Sequence, residues 1–144
     1  MKHLATLAAL TVAILGSECQ VACAQGADDI AAECVKVVRT TVARVNNALG
    51  DDVQRCVAAI EGHKANGDMA KARRVARRCI KRINRTTRAG HNSVREVCER
   101  CINALMDLGE LELAGRLRNV CADALERIED SGERARAAIR NALN

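Results

Sequence analysis

The chain has 144 residues and a mass of 15.5 kDa, with 49% hydrophobic residues, eight cysteines, a formal net charge of +5, and no proline, tryptophan, tyrosine or phenylalanine. That is room for one domain. Without an aromatic ring the chain cannot stack nucleobases, build a methyl-ammonium cage or offer a platform for sugar rings.

The first predicted element is an export signal. Met1-Lys2-His3 is a short positive start, Leu4 to Leu15 is an unbroken run of apolar or small residues, and Ala22-Cys23-Ala24 has the small-x-small form of a signal peptidase site. Cleavage is expected after Ala24, giving a signal peptide at 1–24 and a single all-α domain at 25–144. The apolar run is too short for a membrane-spanning helix, which needs roughly 20 residues. Neither Cys19, preceded three places earlier by Gly16, nor Cys23, preceded by Gln20, has the apolar residue that lipidation requires. The mature chain keeps Cys34, Cys56, Cys79, Cys98, Cys101 and Cys121. In an exported chain an even set of this kind reads as three disulfides, placing the protein in the periplasm or outside the cell.

Beyond the signal the periodicity is helical throughout. Ile30, Cys34, Val37, Val38, Thr41, Val45 and Leu49 recur at steps of three and four, as do Val94, Val97, Cys98, Cys101, Ile102, Leu105 and Leu108. Punctuation then divides the chain. Gly50-Asp51-Asp52, Asn66-Gly67-Asp68, Gly90-His91-Asn92-Ser93 and Leu108-Gly109-Glu110 each pair a helix stop with a capping residue, and Ser93 with Glu96 has the capping-box form. Ser131-Gly132 is a weaker break, after which a C-terminal segment could bend away. The expected helices are 27–49, 51–65, 68–88, 92–108, 110–130 and 133–143, joined by short turns and hence antiparallel to their neighbours.

Sliding the chain by 42 residues superposes Cys56 on Cys98, Ile60 on Ile102, Gly67 on Gly109, Ala72 on Ala114, Arg74 on Arg116, Cys79 on Cys121 and Ile83 on Leu125. Residues 51–90 and 93–130 therefore read as two copies of a helical hairpin, with the first helix as a partner or cap. Within each copy the two cysteines lie equally far from the central turn. That puts them at equal height on facing helices and predicts Cys56–Cys79 and Cys98–Cys121, which leaves Cys34–Cys101.

Gly67-Asp68-Met69-Ala70-Lys71-Ala72, followed by Ala76, Cys79 and Ile80, resembles the second helix of a tetratricopeptide repeat, with its Gly-Asp start and a small residue five after the glycine. Gly109, Glu110, Ala114, Arg118 and Cys121 follow the same pattern in part. The first helices lack the family's large aromatic positions, and the period is 42 rather than about 34. The resemblance implies antiparallel helical hairpins serving as a peptide- or protein-binding scaffold.

The reactive side chains are few. After signal removal the serines are Ser93 and Ser131 and the histidines His63 and His91, which leaves little for a nucleophile and base. Ser93 reads as a cap, Asp51 and Asp52 as acids favouring a helix N-terminus, and Glu129 and Asp130 as solvated. Cys98-Glu99-Arg100-Cys101 has the spacing of a redox dithiol, but it lies inside a helix with no βαβ context. Zinc would need free thiolates beside His63 or His91, which export argues against. The sequence thus predicts no catalytic residue, no cofactor and no metal.

Charge is the informative feature. Net charge is −2 over 25–70, +10 over 71–95, −6 over 96–133 and +3 over 134–144. Lys71, Arg73, Arg74, Arg77, Arg78, Lys81, Arg82, Arg85, Arg88 and Arg95 have no acid between them. Two uses follow for this field. One is internal or dimeric neutralisation by Glu110, Glu112, Asp123, Glu126, Glu129 and Asp130. The other is contact with an acidic protein or an anionic envelope surface, through Lys71, Arg74, Arg77, Arg78, Lys81, Arg82, Arg85 and Arg88. Nucleic acid is disfavoured by compartment and by the absence of stacking residues. The expected protein is an exported, non-enzymatic helical scaffold or binding module, with a thiol-disulfide redox protein using Cys98 and Cys101 as the alternative.

Overall fold

The computed structural model describes residues 26–144. The expected cleavage site and Cys19 and Cys23 lie outside them. Three α-helices make up the described chain: α1 (Ala27–Ala65), α2 (Met69–Asp107) and α3 (Leu111–Leu143). Each packs on the other two, forming a three-helix bundle. A 39-residue helix is about 58 Å long, so the bundle is a rod.

Two of the expected stops are real and share one geometry. Gly67 and Gly109 adopt φ of 73° and 79°, the left-handed region that a side chain disfavours. At the first turn the Gly67 and Asp68 amides donate to the Lys64 and His63 carbonyls at 2.9 Å; at the second, Gly109 and Glu110 donate to Met106 and Leu105 at 2.9 Å. These are Schellman closures, which satisfy the last carbonyls of one helix before the next begins. Asp68 then caps α2, its carboxylate accepting from the Lys71 amide at 3.0 Å. That bond, with the Lys71 ammonium beside it, holds the Asp68 carboxyl below the ordinary carboxylate range. Because the folded pKa is depressed, the stabilisation is complete above about pH 4 and is lost as pH falls through the folded value. Asp68→Ala is accordingly expected to lower the melting temperature at pH 7 and to leave it little changed at pH 2; an equal loss at both would show that the charge is not what acts.

The other expected breaks are absent, because the helices run through Gly50, Gly90 and Gly132. Ser93 is exposed in the middle of α2 and caps nothing, Asp51 and Asp52 lie inside α1, and the C-terminal segment stays in α3 with Ile139 fully buried. The physical reason is an 11-residue interval in the buried positions. Ala72, Ile83, Val94 and Leu105 follow it on α2, Val38, Leu49 and Ile60 on α1, and Leu117, Ile128 and Ile139 on α3. Eleven residues in three turns is about 3.67 per turn, close to the helix's own 3.6, so one face of each helix stays against its neighbours for the whole length. Keeping that face buried outweighs the roughly 1 kcal/mol that each interior glycine costs.

Disulfides form as the spacing predicts. Cys56–Cys79 and Cys98–Cys121 each span 23 residues around a turn, and Cys34–Cys101 spans 67 residues to tie the start of α1 to the end of α2. Three bonds between helices point to an oxidising, extracytoplasmic environment. No helix among the described residues is long and apolar enough to cross a membrane.

The core has two clusters. One surrounds Val38, Val94, Leu105 and Ile128 towards the 108–110 turn, and the other surrounds Ile60, Ala76, Ile83 and Ile139 towards the 66–68 turn. Between them is a waist of small and polar residues. There a Cβ on Gly90 would meet a Val45 methyl at 2.6 Å, and one on Gly132 would meet the Thr87 hydroxyl at 2.5 Å. Gly50 faces open space. The two kinds of glycine should respond oppositely to alanine. Gly50→Ala gains helix propensity and is expected to stabilise by about 1 kcal/mol. Gly90→Ala forces the helices apart and is expected to destabilise by about 1–3 kcal/mol despite the same propensity gain. Denaturant unfolding of the two variants checks both signs.

Candidate anion-binding surface

Ala72, Ala76, Cys79 and Ile83 fix which side of α2 is buried, and every cation from Lys71 to Arg95 is consequently exposed. Arg74, Arg78, Lys81, Arg85 and Arg88 follow steps of four, three, four and three, which aligns them in one stripe opposite the buried face. Continuing the steps brings in Asn92 and Arg95. Arg77 and Arg73 turn from this stripe towards the α3 side, and Lys71 and Arg82 flank it on the α1 side. All eight sequence-predicted binding residues thus share one half of the helix surface.

Few of them are neutralised. Lys71 pairs with Asp68 at 3.0 Å and Arg82 with Asp52 at 3.4 Å. Among the described residues, no ion pair within 4.0 Å engages Arg73, Arg74, Arg77, Arg78, Lys81, Arg85, Arg88 or Arg95. None of the acids that could have supplied internal neutralisation pairs with them within 4.0 Å, although Glu129 lines one pocket with Arg88. Glu129, exposed as read from sequence, pairs with Arg136 of its own helix at 3.0 Å, and that guanidinium also donates to Asn84 at 3.2 Å. The cations repel one another across solvent, and an incoming polyanion would relieve that repulsion.

Where α1 ends and α2 begins, the surface is concave. His63, Lys71, Arg74, Val75 and Arg78 line a cleft of about 270 Å³, so the cationic face has a recessed end at the 66–68 turn. A larger groove, of about 410 Å³, lies between α1 and α3 around Val38, Val42 and Val120, with Arg39, Asp123 and Arg127 as its charged residues. It holds no nucleophile and no pair of carboxylates.

Asp52 is the functional-face residue that the sequence reading misplaced. It lies in the middle of α1 at 8% exposure, takes Arg82 from α2 and Arg55 from its own helix, and lies within 3.5 Å of the Thr86 hydroxyl. Leu49, Asp52 and Cys56 follow core spacing, and an acid at a core position signals that a partner reaches it. This pairing anchors the α1 flank of the cationic face.

The remaining reactive groups are dispersed. Cys98 and Cys101, the candidate dithiol, belong to different disulfides and reach different helices. His91 lies beside Asn84, Thr87, Arg88, Glu129 and Arg136, whereas His63 is in the cleft at the first turn. Ser131 accepts from Arg134 at 3.0 Å. No family model, curated protein or solved structure matches the chain.

Proposed function

We propose that the protein is an exported, non-enzymatic binding module of the periplasm or extracellular space, built on two copies of one 42-residue hairpin unit that share α2. It contacts an acidic partner or anionic envelope surface through the cationic face at 71–88. One observation carries this reading: the face holds its cations exposed and largely without intramolecular counter-ions, an arrangement that is unfavourable in the free molecule and favours bound anions.

Salt dependence and charge reversal test it together. Binding to isolated anionic envelope material should weaken steeply as ionic strength rises, because the contacts are exposed ion pairs. The combined change Arg74→Glu, Arg78→Glu, Lys81→Glu and Arg85→Glu is expected to reduce binding by at least about 100-fold at low salt, with the helical circular dichroism preserved. Unchanged recovery of every envelope component would overturn the proposal.

A further inference from the structure

The shape of the cationic face narrows the partner. The exposed cations of α2 form an elongated band about 32 Å long from Arg74 to Arg95, with Arg74, Arg78, Lys81, Arg85 and Arg88 along its middle at intervals of about 5 Å, Arg73 and Arg77 on the α3 side and Lys71 and Arg82 on the α1 side. Such an array matches a line of negative charge better than a point or a plane.

Chemistry weighs against the other occupants in turn. With its apolar face spent inside the bundle, α2 has nothing to insert into a bilayer, so a membrane would be held by charge alone, the case that vesicles decide below. A folded protein partner is gripped through buried aromatic or aliphatic anchors, and the exposed uncharged residues among these cations include Asn84, Ala89 and Asn92, with no large apolar side chain. Single-stranded nucleic acid is held by stacking on aromatic rings, and the chain has none. The face is therefore suited to an elongated polymer recognised by charge alone. Five of the six stripe cations are arginines, whose planar forks engage carboxylate or sulfate oxygens two at a time.

We infer that the stripe from Arg74 to Arg95 is the docking line for an extended acidic polysaccharide strand, carboxylate- or sulfate-bearing, laid along α2. The cleft at His63, Lys71, Arg74 and Arg78 forms one end of that line. The inference rests on the reading of this face as an anion-binding surface and adds the partner's class and its direction along the helix.

Length dependence is the diagnostic. Oligogalacturonates and heparin oligosaccharides of graded length would be titrated into the intact, disulfide-bonded protein by calorimetry. Phosphatidylglycerol vesicles and polyglutamate would be compared at equal charge concentration. In at least one saccharide series the affinity should rise with length until the oligomer spans about 30 Å and then level off. The double change Arg78→Glu and Arg85→Glu should weaken the longest oligomer by about 10–100-fold. Arg116→Glu with Arg118→Glu alters net charge equally but lies on the exposed side of α3, and should change affinity less than about 3-fold. Vesicles or polyglutamate binding while neither saccharide series binds would overturn the polysaccharide inference and leave the anion-binding reading standing. Equal losses from the two double variants, or affinity independent of length, would also overturn it. If no anion binds, both readings fall.

Discussion

Replacing Cys34 and Cys101 together with alanine is expected to lower the stability of the folded protein by about 4 kcal/mol, more than removing either of the other two disulfides. The cross-link closes 67 residues, against 23 for each of the others, and the entropy it removes from the unfolded chain grows with the logarithm of that length. On this basis the shorter loops contribute about 3.4 kcal/mol each. The folded state reinforces the order. Cys34–Cys101 fixes the first turns of α1, where the side chains packed on the core, Ala27, Ile30, Ala31 and Val35, are only partly buried. Both hairpin disulfides, by contrast, join helices that a tight turn already holds side by side. Urea unfolding of the three alanine pairs should therefore rank Cys34–Cys101 first. A ranking led by Cys56–Cys79 would mean that native packing, rather than chain closure, sets the size of the effect.

Ile83→Ala is expected to cost about 3–4 kcal/mol, close to the loss from the longest disulfide. Ile83 has no exposed surface and belongs to the cluster with Ile60 from α1 and Ile139 from α3, so the missing atoms would leave a void that all three helices border. Two features keep that void from closing. The Cys56–Cys79 bond holds α1 and α2 at a Cα separation of 6.0 Å one turn away, and the Thr87 hydroxyl donates to the Ile83 carbonyl at 2.9 Å. No aromatic side chain is present to swing into the space. Ile80→Ala, on the half-buried edge of the same helix, should cost less than half as much. Similar losses at the two positions would show that the core relaxes around the deletion.

The disulfide pairing was legible because a hairpin imposes symmetry about its turn, and Gly67 and Gly109 are visible as turns from their neighbours alone. The continuity of the helices was not. Gly50, Gly90, Ser93 and Gly132 carry local stop and capping signals, and local signals decide only where tertiary packing is silent. Here an 11-residue recurrence of buried positions runs through each of them, and at Gly90 and Gly132 the missing side chain lets helices approach. The cationic residues of the candidate site were readable as a charge run, and the apolar stripe at Ala72, Ala76, Cys79 and Ile83 as the opposite face, but whether the basic helix would be exposed was not. Whether α3 would neutralise them depended on how the helices rotate against one another. That rotation follows from side-chain fit at Gly90, Gly132 and Asp52, which no charge count contains.

The placement of the cross-links bears on resistance to proteases. In a helical rod the connecting turns are the segments best able to enter a protease cleft, and among the described residues there are two, at 66–68 and 108–110. A cut at the first leaves α1 joined to the rest through Cys34–Cys101 and Cys56–Cys79, and a cut at the second leaves α3 joined through Cys98–Cys121. A molecule nicked at both turns stays in one covalent piece, its helices still side by side and the arginine row on α2 undivided.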